Sequence, residues 1–213
     1  MTFILIAFLV TLGLCITALL PQWIGLRCAR TAVHKILIFQ GKPIATFPLL
    51  GTQLVIGYIP TGGSLEFDLE RFNRLPVWVR LAILLAGPAT LLLTSAILLR
   101  HNAAFHHFVG GFSELFTGAL HPRTHGVELV ARLHAVFVSS FLTLVGIIAC
   151  KLAVVTLIPF GGSTGCRCLH EIFIRNPESR WFHKFQVTTF LLMVITLGAW
   201  IFACYLHVFQ IPK

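Results

Sequence analysis

Negative charge is scarce in this sequence. Asp and Glu together supply 7 of 213 residues, none lies before Glu66, and no histidine lies before His34. The first 33 residues therefore offer neither a carboxylate nor an imidazole for acid–base work. Charged residues of both signs make up only 11% of the chain, against 57% hydrophobic, and mean hydropathy is +0.89. A soluble domain carries about 25% charged residues, so the composition points to a membrane protein. The alternating ten-residue segments of an outer-membrane barrel are also missing. No basic segment or small-x-small cleavage site accompanies the first apolar run, so it is kept as a helix rather than a signal peptide. Internal repeats and low-complexity tracts are absent, and the chain reads as a single membrane domain over 1–213.

Four apolar stretches are long enough to cross a hydrocarbon core of about 30 Å: roughly Phe3–Leu20, Val79–Leu99, Leu133–Pro159 and Phe185–Phe209. Lipid offers bare backbone amides no partner, so each is expected to be helical. The predicted fold is an all-α membrane protein of about four transmembrane helices, with a small β-hairpin or sheet between the first two. That β element covers roughly 35–68. Gly51–Pro60 is apolar and β-branched, and Pro60-Thr61-Gly62-Gly63 predicts a turn into a returning strand near Ser64–Phe67.

Positive charge is unevenly placed. Eleven of the 16 Lys and Arg residues fall in 21–78 and 160–184 or at their borders, including Arg27, Arg30, Lys35, Lys42, Arg71, Arg74, Arg167, Arg175 and Lys184. The positive-inside rule predicts that both loops are cytoplasmic, with a bacterial inner membrane as the setting. The charges flank spans and no recognition motif accompanies them, so nucleic acid is not an expected partner. Membrane lipid and another membrane protein are.

The six cysteines are dispersed, and Cys28, Cys166 and Cys168 fall on the predicted reducing side, which argues against a disulfide framework. Cys166-x-Cys168 lacks a second pair at ligand spacing. His101, His106, His107, His121, His125 and His134 crowd a segment expected to be short, external and partly helical. They read as solvated interfacial residues, with metal binding or pH sensing as the sharper alternatives. Trp23, Trp78, Trp181 and Trp200 lie mostly near predicted span ends, where interface anchors belong.

Three landmarks, in order, resemble the site-2 protease family of zinc intramembrane proteases. GTQLVIGYIPTGGSLEF (Gly51–Phe67) resembles its membrane-associated hairpin with an IPLGG turn. FNRLPVWVRLAILLAGPATLLL (Phe72–Leu93) resembles the approach to its AAGP helix. LAVVTLIPFGGSTGCRCL (Leu152–Leu169) resembles the NLLPxxxLDGG segment that supplies the third zinc ligand. In that family an HExxH helix provides two histidine ligands and a glutamate base. The resemblance places this window at Ala18-Leu19-Leu20-Pro21-Gln22, with Ala18 and Gln22 at the histidine positions and Leu19 at the glutamate. The ligand aspartate corresponds to Thr164 and the preceding asparagine to Thr156. His170-Glu171-Ile172-Phe173-Ile174 is no substitute, because Ile174 stands where a second histidine is required.

The resemblance thus implies a catalytically inactive member without a PDZ domain, with no bound metal or other cofactor. The implied role is that of a pseudoprotease that binds or regulates another membrane protein as a complex subunit. An extended partner strand would pair with Gln53, Leu54, Val55, Ile56, Gly57, Tyr58 and Ile59 by β-augmentation. Lys151, Thr156, Pro159 and Gly165 would line a zinc-free cavity, with the Lys151 ammonium meeting hydroxyls such as Thr156; a snorkelling Lys151 is the plainer reading. Two alternatives stand beside this: a purely structural subunit of a large assembly, and an enzyme with replaced chemistry at Cys166 or Cys168 with His170.

Overall fold

The computed structural model describes residues 2–161, 163–173 and 180–210. Gly162, Ile174, Arg175 and Lys213, and the side chains of Ile59, Arg180 and Trp181, lie outside the described residues. The elements run α1 (Thr2–Cys28), β1 (Val33–Leu49), β2 (Thr52–Phe67), α2 (Leu69–Asn73), α3 (Val77–Leu99), α4 (His101–Leu120), a π-turn at Pro122–Gly126, α5 (Val127–Ser139), α6 (Phe141–Leu157), α7 (Thr164–Phe173) and α8 (Arg180–Gln210). Three stretches are long and apolar enough to cross a membrane: Leu5–Cys28, Val77–Leu99 and Phe182–Phe209. The chain is mostly helical with one small sheet.

Two span boundaries differ from expectation. The first helix does not stop at Leu20 but continues through Pro21 to Cys28. Proline removes one backbone donor there, and the added turns are held by packing, since Leu26 is buried. The third apolar run is broken at Ser140, whose backbone is extended (φ −159°, ψ 112°) and whose Oγ accepts from Thr143 N–H at 3.3 Å. This serine cap starts α6, leaving a shorter apolar helix of 17 residues.

The chain divides into two compact units, one of Leu9–Leu91 and one of Met1–Phe8 with Leu92–Lys213. In the Leu9–Leu91 unit the sheet differs from a simple hairpin. The chain reverses at Leu50–Gly51, both with positive φ (+47° and +77°), the backbone of a tight two-residue hairpin turn. It runs on as strand through Pro60–Gly63, where sequence punctuation predicted a turn. Each long strand bends and is used twice. Pro48, Phe47, Thr46 and Ala45 lie opposite Gln53, Leu54, Val55 and Ile56 in antiparallel register. Those same β2 residues lie opposite Lys35, Ile36, Leu37 and Ile38 in rising, parallel register. Ile36, Leu37 and Ile38 then pair antiparallel with Leu65, Ser64 and Gly63. Across the sheet the order is therefore 43–49, 52–57, 33–38, 63–67.

The end of α1 clamps the hairpin turn. The Arg27 guanidinium donates to Leu50 O and, at 3.3 Å, to Thr52 Oγ1. Trp23 Nε1 donates to the same hydroxyl at 3.4 Å, and that hydroxyl donates to Val33 O at 3.1 Å. Arg27 also lies 5.1 Å over the Trp23 ring, a favourable cation–π distance.

In the other unit α4 packs along α6 and α8, so the histidine-rich segment expected to be partly helical contains a helix of twenty residues. Phe3, Val130 and Leu144 form one buried cluster, and Val154, Ile158 and Phe160 form another against Phe108, Phe112 and Met193.

Candidate functional site

The window that the family resemblance assigns to zinc lies on the buried stripe of α1. Cys15, Leu19 and Leu26 are buried there at helical spacing, with Gln22 between them. Ala18, Leu19 and Gln22 each lie at a close contact with α3 or the sheet. Pro88 in α3 has no N–H, which orphans the carbonyl of Leu84 four residues earlier. Gln22 Nε2 donates to that carbonyl at 2.8 Å. Next to it, α3 approaches α1 so closely at Gly87 that a methyl there would sit 2.7 Å from Ala18 O and 2.8 Å from Gln22 Nε2. The Leu19 side chain lies against Gly63 at the inner end of the 63–67 strand, where an added methyl would sit 3.2 Å from Leu19 Cγ.

These residues do not fit the zinc that the family uses. Alanine and leucine have no donor atom, and the one carboxamide is committed to a backbone carbonyl. Among the described residues no group of three or more His, Cys, Asp or Glu is placed to hold a metal ion.

The glycine-rich turn is explained by backbone packing. α6 ends at Leu157, and Ser163 closes the turn: its Oγ donates to Ile158 O at 2.7 Å and accepts from Cys166 N–H at 3.1 Å, capping α7. Gly165 faces the Leu157 carbonyl so closely that no Cβ fits, and Gly161 does the same against Gln186 O of α8. Thr164 opens α7 half-buried, and Pro159 is half-buried between the two helices. Gly161 and Gly165 thus meet backbone too closely for any larger residue.

Lys151 and Thr156 are not brought together. Thr156 Oγ1 donates to Ala153 O within its own helix at 2.9 Å. Lys151 Nζ donates to His107 O at 3.1 Å and forms an ion pair with Glu114 of α4. Glu114 was missed from the sequence because it sits 37 residues away in a segment expected to be external. The signal was a lysine inside an apolar run, which calls for a carboxylate partner from elsewhere in the chain.

The partner-strand residues are also differently placed. Gln53–Ile56 are paired on both flanks, to 45–48 and to 35–38, so they cannot accept a further strand. Gly57 is buried opposite Pro43, while Tyr58 is exposed. The outer segments of the sheet are 43–49 and 63–67. Of these, 43–49 is the more open, with Ile44 and Phe47 exposed.

A replaced cysteine chemistry finds little support in geometry. Cys166 is fully buried, burial and then the neighbouring Glu171 charge push the Cys168 thiol up, and His170 packs its ring on Phe182 at 4.6 Å. All six cysteines are free. Of the remaining histidines, His134 Nδ1 and His207 Nε2 are 3.3 Å apart, with Phe3 stacked on His134. His121 and His125 are ring neighbours at 5.8 Å.

Helices long and apolar enough to span a membrane, a small sheet against the first of them and a Gly-Pro helix packed on that same helix fit an integral membrane protein. A model of peptidase family M50, the site-2 protease family, matches residues 22–197, and the chain belongs to that family. The match begins at Gln22, the last position of the degenerate window. No curated protein matches the sequence.

Proposed function

We propose that this chain is a pseudoprotease: a site-2-type membrane frame that holds or regulates another membrane protein as a subunit of a complex. The observation that carries the reading is the Gln22–Leu84 bond. A position that would bind zinc in an active relative here helps to hold two helices together, and Ala18 and Leu19 beside it are equally committed to packing.

What remains useful in such a frame is backbone recognition. An extended partner segment adds to the sheet along 43–49 rather than along Gln53–Ile59. Pro43 and Pro48 lack N–H groups and bracket Ile44–Phe47, so the added ladder is short and in fixed register. The exposed Ile44 and Phe47 side chains supply apolar contact. Both basic loops, 21–78 and 160–184, face the cytoplasm of a bacterial inner membrane in this reading, supported by the lysine and arginine placement.

The test is purification from native membranes without chelators, followed by metal analysis and identification of co-purifying chains. The expected result is a stoichiometric membrane partner and no zinc, with the partner lost in Thr46→Pro. Stoichiometric zinc together with cleavage of a transmembrane substrate overturns the reading. A partner retained in Thr46→Pro would favour a purely structural subunit held by other surfaces.

A further inference from the structure

Helix α4 sorts its residues into two opposite faces. At about 100° per residue, Phe105, Val109, Phe116 and Leu120 fall within an arc of roughly 60°. They are 65%, 54%, 44% and 75% exposed. The opposite side carries Ala104, Gly111 and Gly118, all buried. Gly111 packs on Val154 and Lys151, and Gly118 on the Trp200 ring. Trp200 Nε1 also donates to Leu115 O at 3.2 Å.

The contacts fix where α4 runs. Ala104 O accepts from Cys150 Sγ at 3.4 Å, Gly111 meets Lys151 and Val154, and the Phe116 ring lies 6.4 Å from Phe160. From its first turn to its last, α4 therefore follows the apolar helix α6 from Cys150 to beyond its end. Twenty residues of helix span about 30 Å, the thickness of a hydrocarbon core. Its only acid, Glu114, is paired inward with Lys151. His101, Asn102, His106 and His107 lie in its first two turns, Ser113 Oγ is satisfied by Gly110 O at 2.9 Å, and the one other polar residue is Thr117. The neighbouring α8, of spanning length, is likewise exposed through apolar side chains such as Leu191, Ile195 and Ile201.

We propose that α4 is a further membrane-level helix whose Phe105–Val109–Phe116–Leu120 stripe is covered by lipid acyl chains. The Lys151–Glu114 pair is the internal counter-charge that allows it to remain there. An isolated carboxylate or ammonium at this depth is costly, and pairing offsets part of the penalty. The surface thus has a lipid partner, and the helix count of the membrane domain rises by one.

Benzoylphenylalanine placed singly at Phe105, Phe116 and Leu120 of the full chain, irradiated in its own membranes, reports what covers the stripe. Phospholipid adducts at all three positions are expected. Protein adducts at Phe105 and Phe116 overturn the proposal in favour of a partner chain, and solvent-quenched probes without adducts overturn it in favour of an aqueous face. The counter-charge role is read separately from the folded yield in membranes. Glu114→Gln should lower it several-fold, and Glu114→Gln with Lys151→Met should recover most of the loss. A double variant no better than the single one would reject that role.

Discussion

Gln22 and Leu84 lie 62 residues apart and are joined by a hydrogen bond of 2.8 Å from the carboxamide to the backbone carbonyl. The bond exists because Pro88 cannot donate to Leu84 from within its own helix. One residue of the degenerate window is therefore the complement of a proline in the family's Gly-Pro landmark.

This relationship makes a double-mutant cycle decisive. Gln22→Ala leaves a buried carbonyl unsatisfied and should cost about 1–3 kcal/mol. In a Pro88→Ala background the new alanine N–H serves Leu84 O, so the same substitution should cost clearly less. Denaturant unfolding in detergent measures both. Equal costs in the two backgrounds would show that the bond has no energetic role.

Gly165→Ala tests the account of the glycine-rich turn. A methyl there collides with the Leu157 carbonyl, which is backbone and cannot rotate away. Overpacking of this kind costs about 1–3 kcal/mol, so a lower melting temperature is expected. An alanine variant as stable as the parent would mean that the glycine is kept for another reason.

Thiol reactivity reports on the cysteine-chemistry alternative. Cys28 is exposed and should react first with maleimide, while Cys15, Cys150 and Cys166 are buried and should be protected. Cys168 is half-buried, and its raised pKa means a smaller thiolate fraction at any given pH than an ordinary thiol has. Its labelling should be slow near neutrality and accelerate as pH rises through and beyond the usual thiol range. Mass spectrometry at several pH values measures the order. Rapid labelling of Cys168 at neutral pH would revive a nucleophilic role.

Much of the architecture was legible in one dimension. Hydropathy located the long helices, because burial in lipid demands unbroken apolar length. The glycine and proline punctuation of 51–67 marked strand, because β-branched runs between such residues rarely do anything else. It misplaced the turn: Leu50–Gly51 reverses the chain, and Pro60–Gly63 stays extended. The sheet order was out of reach, since two strands used twice cannot be distinguished from a simple hairpin by periodicity. The same limit hid how α4 packs: a partly helical segment was expected there, but only the structure sets its glycines against Lys151, Val154 and Trp200.

The amino-acid sequence alone determined the long apolar stretches of a membrane protein, three ordered stretches that resemble site-2 family landmarks, and the lack of any histidine before His34 or carboxylate before Glu66. Those facts depend on residue type and order, which need no coordinates. Only the tertiary structure decided which contacts these residues make: Gln22 with Leu84, Leu19 with Gly63, and Lys151 with Glu114. Each is a contact between distant parts of the chain, chosen by how helices and strands pack rather than by any local preference. That is why none of these contacts could be read from the sequence.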